Sequence, residues 1–202
     1  MGRLLAASHF LASSHHASYH PVMSVTESDA GAEGAVDQAL FRKVMASFVT
    51  GVTVVTTQVQ GELHGMTANA FMSGSLDPPL CVISVGKKAR MHGFLIEAGH
   101  FGVNILARGQ EMLINHFAGR PVEWLEPKIE YAGDTPIFAH AHATIAARVA
   151  AQYECGDHSL FVGHIFALHH DDVAPIVLHV GRLSGLAQIH DQATIGPTLD
   201  FW

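Results

Sequence analysis

Gly65-Met66-Thr67-Ala68-Asn69-Ala70-Phe71-Met72-Ser73-Gly74-Ser75-Leu76-Asp77-Pro78-Pro79-Leu80 is the stretch on which the fold of this chain turns. Small polar side chains recur at alternate positions in a strand-like run that ends in a double proline. Side chains along a strand point to opposite faces in turn, so the pattern predicts one face carrying Thr67, Asn69, Phe71, Ser73 and Ser75. Such a face offers hydroxyls and an amide, short groups that hydrogen-bond a flat heteroaromatic ring without pushing it away. Pro78 holds Asp77 extended and Pro79 does the same to Pro78, which stiffens the exit. On residues alone, an ordinary half-exposed strand with a proline turn fits equally well.

Working outward, residues 36–48 space apolar Val36, Leu40, Phe41, Val44 and Phe48 as a helix does, with Asp37 as a cap or first-turn acid. Residues 50–59 read as one strand, and Gln60-Gly61-Glu62 as a hairpin turn into the next. After the prolines an apolar strand covers residues 79–85. A helix is predicted over 88–98, with Phe94, Leu95 and Ile96 inward and Gly99 as its stop. A short strand at 101–106 and a helix at 110–118 follow, and 120–136 reads as loop. Residues 142–154 and 158–169 form a long hairpin about Gly156-Asp157, and 175–180 is a last strand. Many closely spaced strands with a few helices predict a mainly β fold with peripheral helices, a small barrel.

A chain of 202 residues can build one domain with a sizeable core. Residues 1–35 differ in composition and are expected to be a disordered extension, with Met23 as a natural translation start. Residues 36–190 form the domain and 191–202 a tail. Hydrophobic residues at 49% against 14% charged indicate apolar surface available to another subunit. A net charge of −7 and the lack of a basic stripe argue against nucleic acid. No apolar run is long enough to span a bilayer. Cys81 and Cys155, both in apolar runs, read as buried thiols in a reducing cytoplasm. Protonating all sixteen histidines would carry the formal charge from −7 to +9, so solubility and assembly are expected to change on mild acidification.

The central stretch resembles the signature of the short-chain flavin reductases, the small partners of two-component flavin monooxygenases. Gly65-Met66-Thr67, Phe71 and the run from Ser73 to Pro79 fit that pattern. The resemblance continues in order through residues 48–57, Phe101-Gly102-Val103-Asn104-Ile105-Leu106, Phe117-Ala118-Gly119 and the Gly156-Asp157-His158 hairpin. It covers residues 40–190 and implies an FMN-binding split β-barrel of Greek-key type, usually homodimeric, that uses FMN or FAD with NADH or NADPH. By resemblance, Thr67, Ala68 and Asn69 meet the polar edge of the flavin ring, and Ser73 and Ser75 lie beside the ring or ribityl chain. Lys87, Lys88 and Arg90 would anchor the phosphate at a helix start. Relatives often carry hydroxyl residues where Ala89 and Met91 stand, which implies either more of the anchoring on the three cations or a loosely bound flavin. Asn104, Gly156, Asp157 and Arg182 complete the cofactor-binding set, and Leu183 stands where many relatives have an aromatic residue. His158 is the candidate catalytic residue, orienting or protonating near the nicotinamide. Hydride transfer between stacked rings needs positioning and no protein nucleophile.

Other chemistries fit less well. His140, His142, Cys155, His158, His169 and His170 invite zinc, yet no paired ligand spacing of the strong kind occurs, and no metal is expected. No Gly-x-Ser-x-Gly elbow supports a hydrolase. A flavin carrier, or a flavoprotein that directly reduces a nitroaromatic or corrinoid, remains the alternative to a reductase feeding a separate monooxygenase.

Overall fold

The computed structural model describes residues 36–185; the N-terminal extension and the C-terminal tail lie outside the described residues. Among the described residues three helices and twelve strands follow one another, and most of the strands build a seven-stranded antiparallel sheet. Its order is β3 (Glu62–Ala68), β2 (Thr53–Val59), β6 (His100–Ile105), β9 (Ala143–Cys155), β10 (His158–His170), β5 (Leu80–Gly86), β4 (Phe71–Ser75). The end strands β3 and β4 are joined by Asn69 and Ala70 alone, a span of at most about 11 Å. Met66 and Ala68 from β3 and Phe71 from β4 also pack on the same buried cluster. The sheet therefore curls until its two edges face each other across one core.

That core holds Val55, Ile83, Val85, Phe101, Val103 and Phe161, with Met91 and Leu95 of α2 (Arg90–Ala98) packed among them. The second face of β2 is covered as well. Val52, Val54, Leu106 and Phe138 meet Leu113 of α3 (Glu111–Phe117) in a second cluster. Burial on both faces explains why β2 reads as a continuous apolar and threonine run. Three glycines make room for close approaches, and Gly163 is one of them. A β-carbon there would come within 2.8 Å of the Ala147 methyl and overlap the Phe101 ring.

Several expectations change in detail. The predicted strand over 50–59 divides at Val52. β1 (Thr50–Gly51) joins β11 (Ile176–His179) and β12 (Arg182–Gly185) in a separate three-stranded sheet. β12 is an additional strand beyond the expected last one. It turns back at Val180-Gly181, both at positive φ, as a two-residue hairpin requires. The region expected to be loop contains a hairpin, β7 (Ile129–Ala132) with β8 (Thr135–Phe138), turning at Gly133-Asp134. Its short strands hide within a Pro-, Gly- and charge-rich composition.

The helix expected at 88–98 begins at Arg90 and stops at Gly99, whose left-handed conformation (φ 68°) lets its N–H reach the Leu95 carbonyl. Leu95 is buried and Phe94 partly so, whereas Ile96 faces outward. Of the two thiols only Cys81 is buried; Cys155 is exposed at the hairpin tip. No helix among the described residues is long and apolar enough to cross a membrane. α1 (Gln38–Met45) buries no residue, and Leu40, Phe41 and Val44 on it are more than half exposed.

Candidate functional site

The chain breaks its strand at Asn69-Ala70, and this break builds the site. The sequence pattern placed Thr67 through Ser75 on one face of one strand; the structure instead splits them between opposite sheet edges. The Ala70 carbonyl accepts the Ser84 N–H at 3.1 Å, which ties the crossing to β5 two residues before its end. At that end Gly86 pairs with His158 of β10, and the Lys87 N–H donates to the Asp157 carbonyl at 3.0 Å. Asn69-Ala70, the loop 86–89 and the hairpin tip 156–158 thus converge, with two residues of β5, about 7 Å, between the first and the others.

His158 is the centre of this corner. Its Nδ1 lies 2.7 Å from Asp157 Oδ1, an arrangement that fixes the ring and leaves Nε2 for another partner. The imidazole packs over Gly86: a β-carbon on Gly86 would sit 3.6 Å from His158 Nε2. The His158 hydrogen bond and charge hold the exposed Asp157 carboxyl below the usual carboxylate range, with Lys88 adding a smaller pull. Lys87 is paired with Glu154 across the loop. Both partners are substantially solvated, so this ion pair orients the lysine more than it stabilises the fold. Arg90 is exposed at the first turn of α2, and the preceding Ala89 gives that helix no side-chain cap. The N–H groups of the first turn and the nearby cations make a basic, anion-attracting rim.

The remaining expected residues fall elsewhere. The Thr67 hydroxyl donates to the Ile114 carbonyl of α3 at 2.8 Å and serves packing, while Ala68 leans on the core. Ser73 and Ser75 pair with Cys81 and Leu80 at the far end of β5, where a bulge at Gly74 interrupts their alternation. Asn104 is fully buried. Its amide donates to the Val54 carbonyl and the Thr56 hydroxyl, and its carbonyl accepts the Phe138 N–H at 2.6 Å. With no surface exposed it braces β2, β6 and β8. Arg182 lies exposed on β12, in the separate sheet, beside His179 and Ser184. His140 sits in a turn at φ 61° rather than in a strand, so it does not alternate with His142 as a chelating strand pair would.

Residue-by-residue reading missed Gly86, whose role as the bed for an imidazole appears only when β5 and β10 pair. It also missed His64, Phe94 and His116, which flank Arg90 in space but are scattered over three elements.

The flavin reductase like domain family matches residues 45–187. An NADH-dependent flavin reductase of Rhodococcus sp is 37% identical over 165 residues, covering 80% of this chain and 94% of that one. The reductase component of 4-hydroxyphenylacetate 3-monooxygenase from Thermus thermophilus is 37% identical over 142 residues, 70% of this chain and 91% of the relative. Among solved structures, flavin reductase PheA2 in its native state superposes with a TM-score of 0.74 at 39% identity, covering 76% of this chain and all of that one. The chain belongs to the flavin reductase like family.

Proposed function

We propose that this protein is an NADH-dependent flavin reductase that hands reduced flavin to a separate monooxygenase. The observation that carries this reading is the convergence of the Asn69-Ala70 crossing, the basic loop ending at Arg90 and the Asp157–His158 pair on one end of β5. A flavin's needs fit these parts: a backbone edge for its ring, an uncapped helix start with cations for its phosphate, and a free imidazole nitrogen beside the ring. Flavin supplies the hydride-accepting ring, so the protein's task is to bring two flat rings into contact.

In this reading Ala68, Asn69 and Ala70 meet the ring edge, and Lys88 and Arg90 hold the phosphate. His158 directs its Nε2 to the nicotinamide carboxamide, with Asp157 fixing the imidazole. The relatives' printed functions, an NADH-dependent flavin reductase and a monooxygenase reductase component, support the electron donor and the destination of the flavin.

The finer architecture follows as part of the same proposal: a split barrel closed between β3 and β4, working as a homodimer. Leu40, Phe41, Val44 and Phe48, all more than half exposed, together with Phe166 and Leu168 on the outer half of β10, give apolar surface for a second copy. A reducing, cytoplasmic setting suits the two unpaired cysteines.

Titrating the purified protein with FMN and FAD, then NADH and NADPH, tests the reading. Flavin-dependent oxidation of NADH is expected; failure to take up either flavin at micromolar concentration, with no flavin-dependent turnover, overturns it. Sedimentation equilibrium reads the dimer independently.

A further inference from the structure

The segment from Lys87 to His92 is fastened at both ends to the part of the chain around His158. At its start the Lys87 N–H donates to the Asp157 carbonyl at 3.0 Å. At its finish His92 Nε2 lies 2.9 Å from the Ser159 hydroxyl. Asp157 and Ser159 flank His158 in the chain, so both fastenings close on the start of β10. Between them lie Lys88 and Arg90, both exposed.

The second fastening lies inside the fold. Ser159 is wholly buried, paired with Val85 of β5 on one side and Glu154 of β9 on the other. A buried hydroxyl left without partners costs more than the bond itself gains. The Gln152 amide donates to Ser159 at 3.3 Å, and the hydroxyl's own proton is left for Nε2 of a neutral His92 ring. Phe161, also wholly buried, meets the same imidazole edge to face, with centroids 5.4 Å apart. Two side chains from the inner face of β10 thus hold His92, while His158 points to the opposite face.

The helix needs such a hold. Ala89 stands at the N-cap of α2 and gives no side-chain bond. The Ala89 N–H bonds the Gly86 carbonyl at 2.9 Å and the His92 N–H bonds the Ala89 carbonyl at 3.0 Å, and both stay within residues 86–92. Met91 and Leu95 anchor α2 in the core, but apolar burial has no direction. The His92–Ser159 bond supplies the direction.

We propose that His92 is a positioning residue for flavin: its bond to Ser159 fixes the first turn of α2 so that Lys88 and Arg90 present their charges to the flavin phosphate. The inference rests on the reductase reading, in which those two cations hold the phosphate, and adds a residue that acts through the helix start.

Flavin fluorescence titrations of the full-length protein test it without turnover. FMN carries the phosphate and riboflavin lacks it, so Kd(riboflavin)/Kd(FMN) reads the phosphate contact. His92→Ala and Ser159→Ala are each expected to lower that ratio about three- to tenfold, as loss of one hydrogen bond implies. The double variant should lower it no further. His92→Gln, whose amide reaches about as far as Nε2, is expected to restore the ratio to within about twofold of wild type. An unchanged ratio in His92→Ala, equal losses for FMN and riboflavin, or a His92→Gln protein as impaired as His92→Ala overturns the proposal.

Arg90→Gln separates this role from the reading beneath it. A ratio lowered by Arg90→Gln but not by His92→Ala overturns the positioning role alone. A ratio moved by neither overturns the placement of the phosphate as well, and a protein that takes up no flavin loses the reductase reading with both.

Discussion

Phe117 fills the space that a side chain on Gly65 would need: a β-carbon there would fall inside the ring, against its Cδ1 and Cε1 atoms. β3 and α3 therefore meet through a glycine, and the Thr67 hydroxyl clamps the same contact from two residues away. Gly65→Ala is expected to cost about 1–3 kcal/mol by overpacking. The measurement is a urea midpoint at constant slope. An unchanged midpoint would mean that α3 gives way freely.

Asn104 joins three strands through one amide. Asn104→Ala strips these bonds and leaves buried backbone groups unpaired, for a loss of about 2–4 kcal/mol. Equilibrium unfolding checks it, and a loss below about 1 kcal/mol would show that water replaces the amide.

Asp157 acts through His158, so their effects should not add. His158→Ala is expected to slow flavin reduction more than it weakens flavin binding. Asp157→Ala should slow reduction about three- to tenfold, the equivalent of one hydrogen bond. The double variant should be no slower than His158→Ala alone, as a double-mutant cycle in stopped-flow would read. The pair also has a sign in pH. The Asp157 carboxyl is held below its ordinary range, so the bond is complete above about pH 4 and is lost only as pH falls through the lowered value. A fall in rate between pH 8 and 5 would then not come from the Asp157 carboxyl.

The two thiols should separate under a labelling reagent. Cys155, at the exposed tip, is expected to react in the native protein, and Cys81 only on unfolding. Burial pushes the Cys81 thiol from 9.0 up to about 11, against a weaker opposing pull from the Gly163 backbone. The folded state therefore keeps a proton that the unfolded chain releases. The associated stability is whole below about pH 8.5 and drains away as pH climbs through 11, on the order of 2–3 kcal/mol. Urea midpoints of wild type and Cys81→Ala should converge across that window.

Periodicity and turn chemistry in the chain were enough for the long hairpin about Gly156-Asp157, the Gly99 helix stop and the mainly β class. What escaped notice depends on partners distant in sequence. Alternation from Thr67 to Ser75 is real as a pattern, but two residues that leave the ladder at Asn69-Ala70 send its halves to opposite edges. Nothing local in a polar run announces a change of edge. Asn104 reads as a polar candidate because sequence cannot tell a buried amide with three partners from a ligand-facing one. Gly86 beneath His158 and the stacked His64–Phe94 rings become visible only once strands and helices far apart in the chain have paired.

Two residues alone connect the outermost strands of the curled sheet. Any molecule seated against Asn69 and Ala70 would brace that seam like a splint. Occupancy would then raise the melting temperature in proportion to the logarithm of ligand concentration. A duplication or cut at this joint should let β3 and β4 part while leaving each hairpin folded.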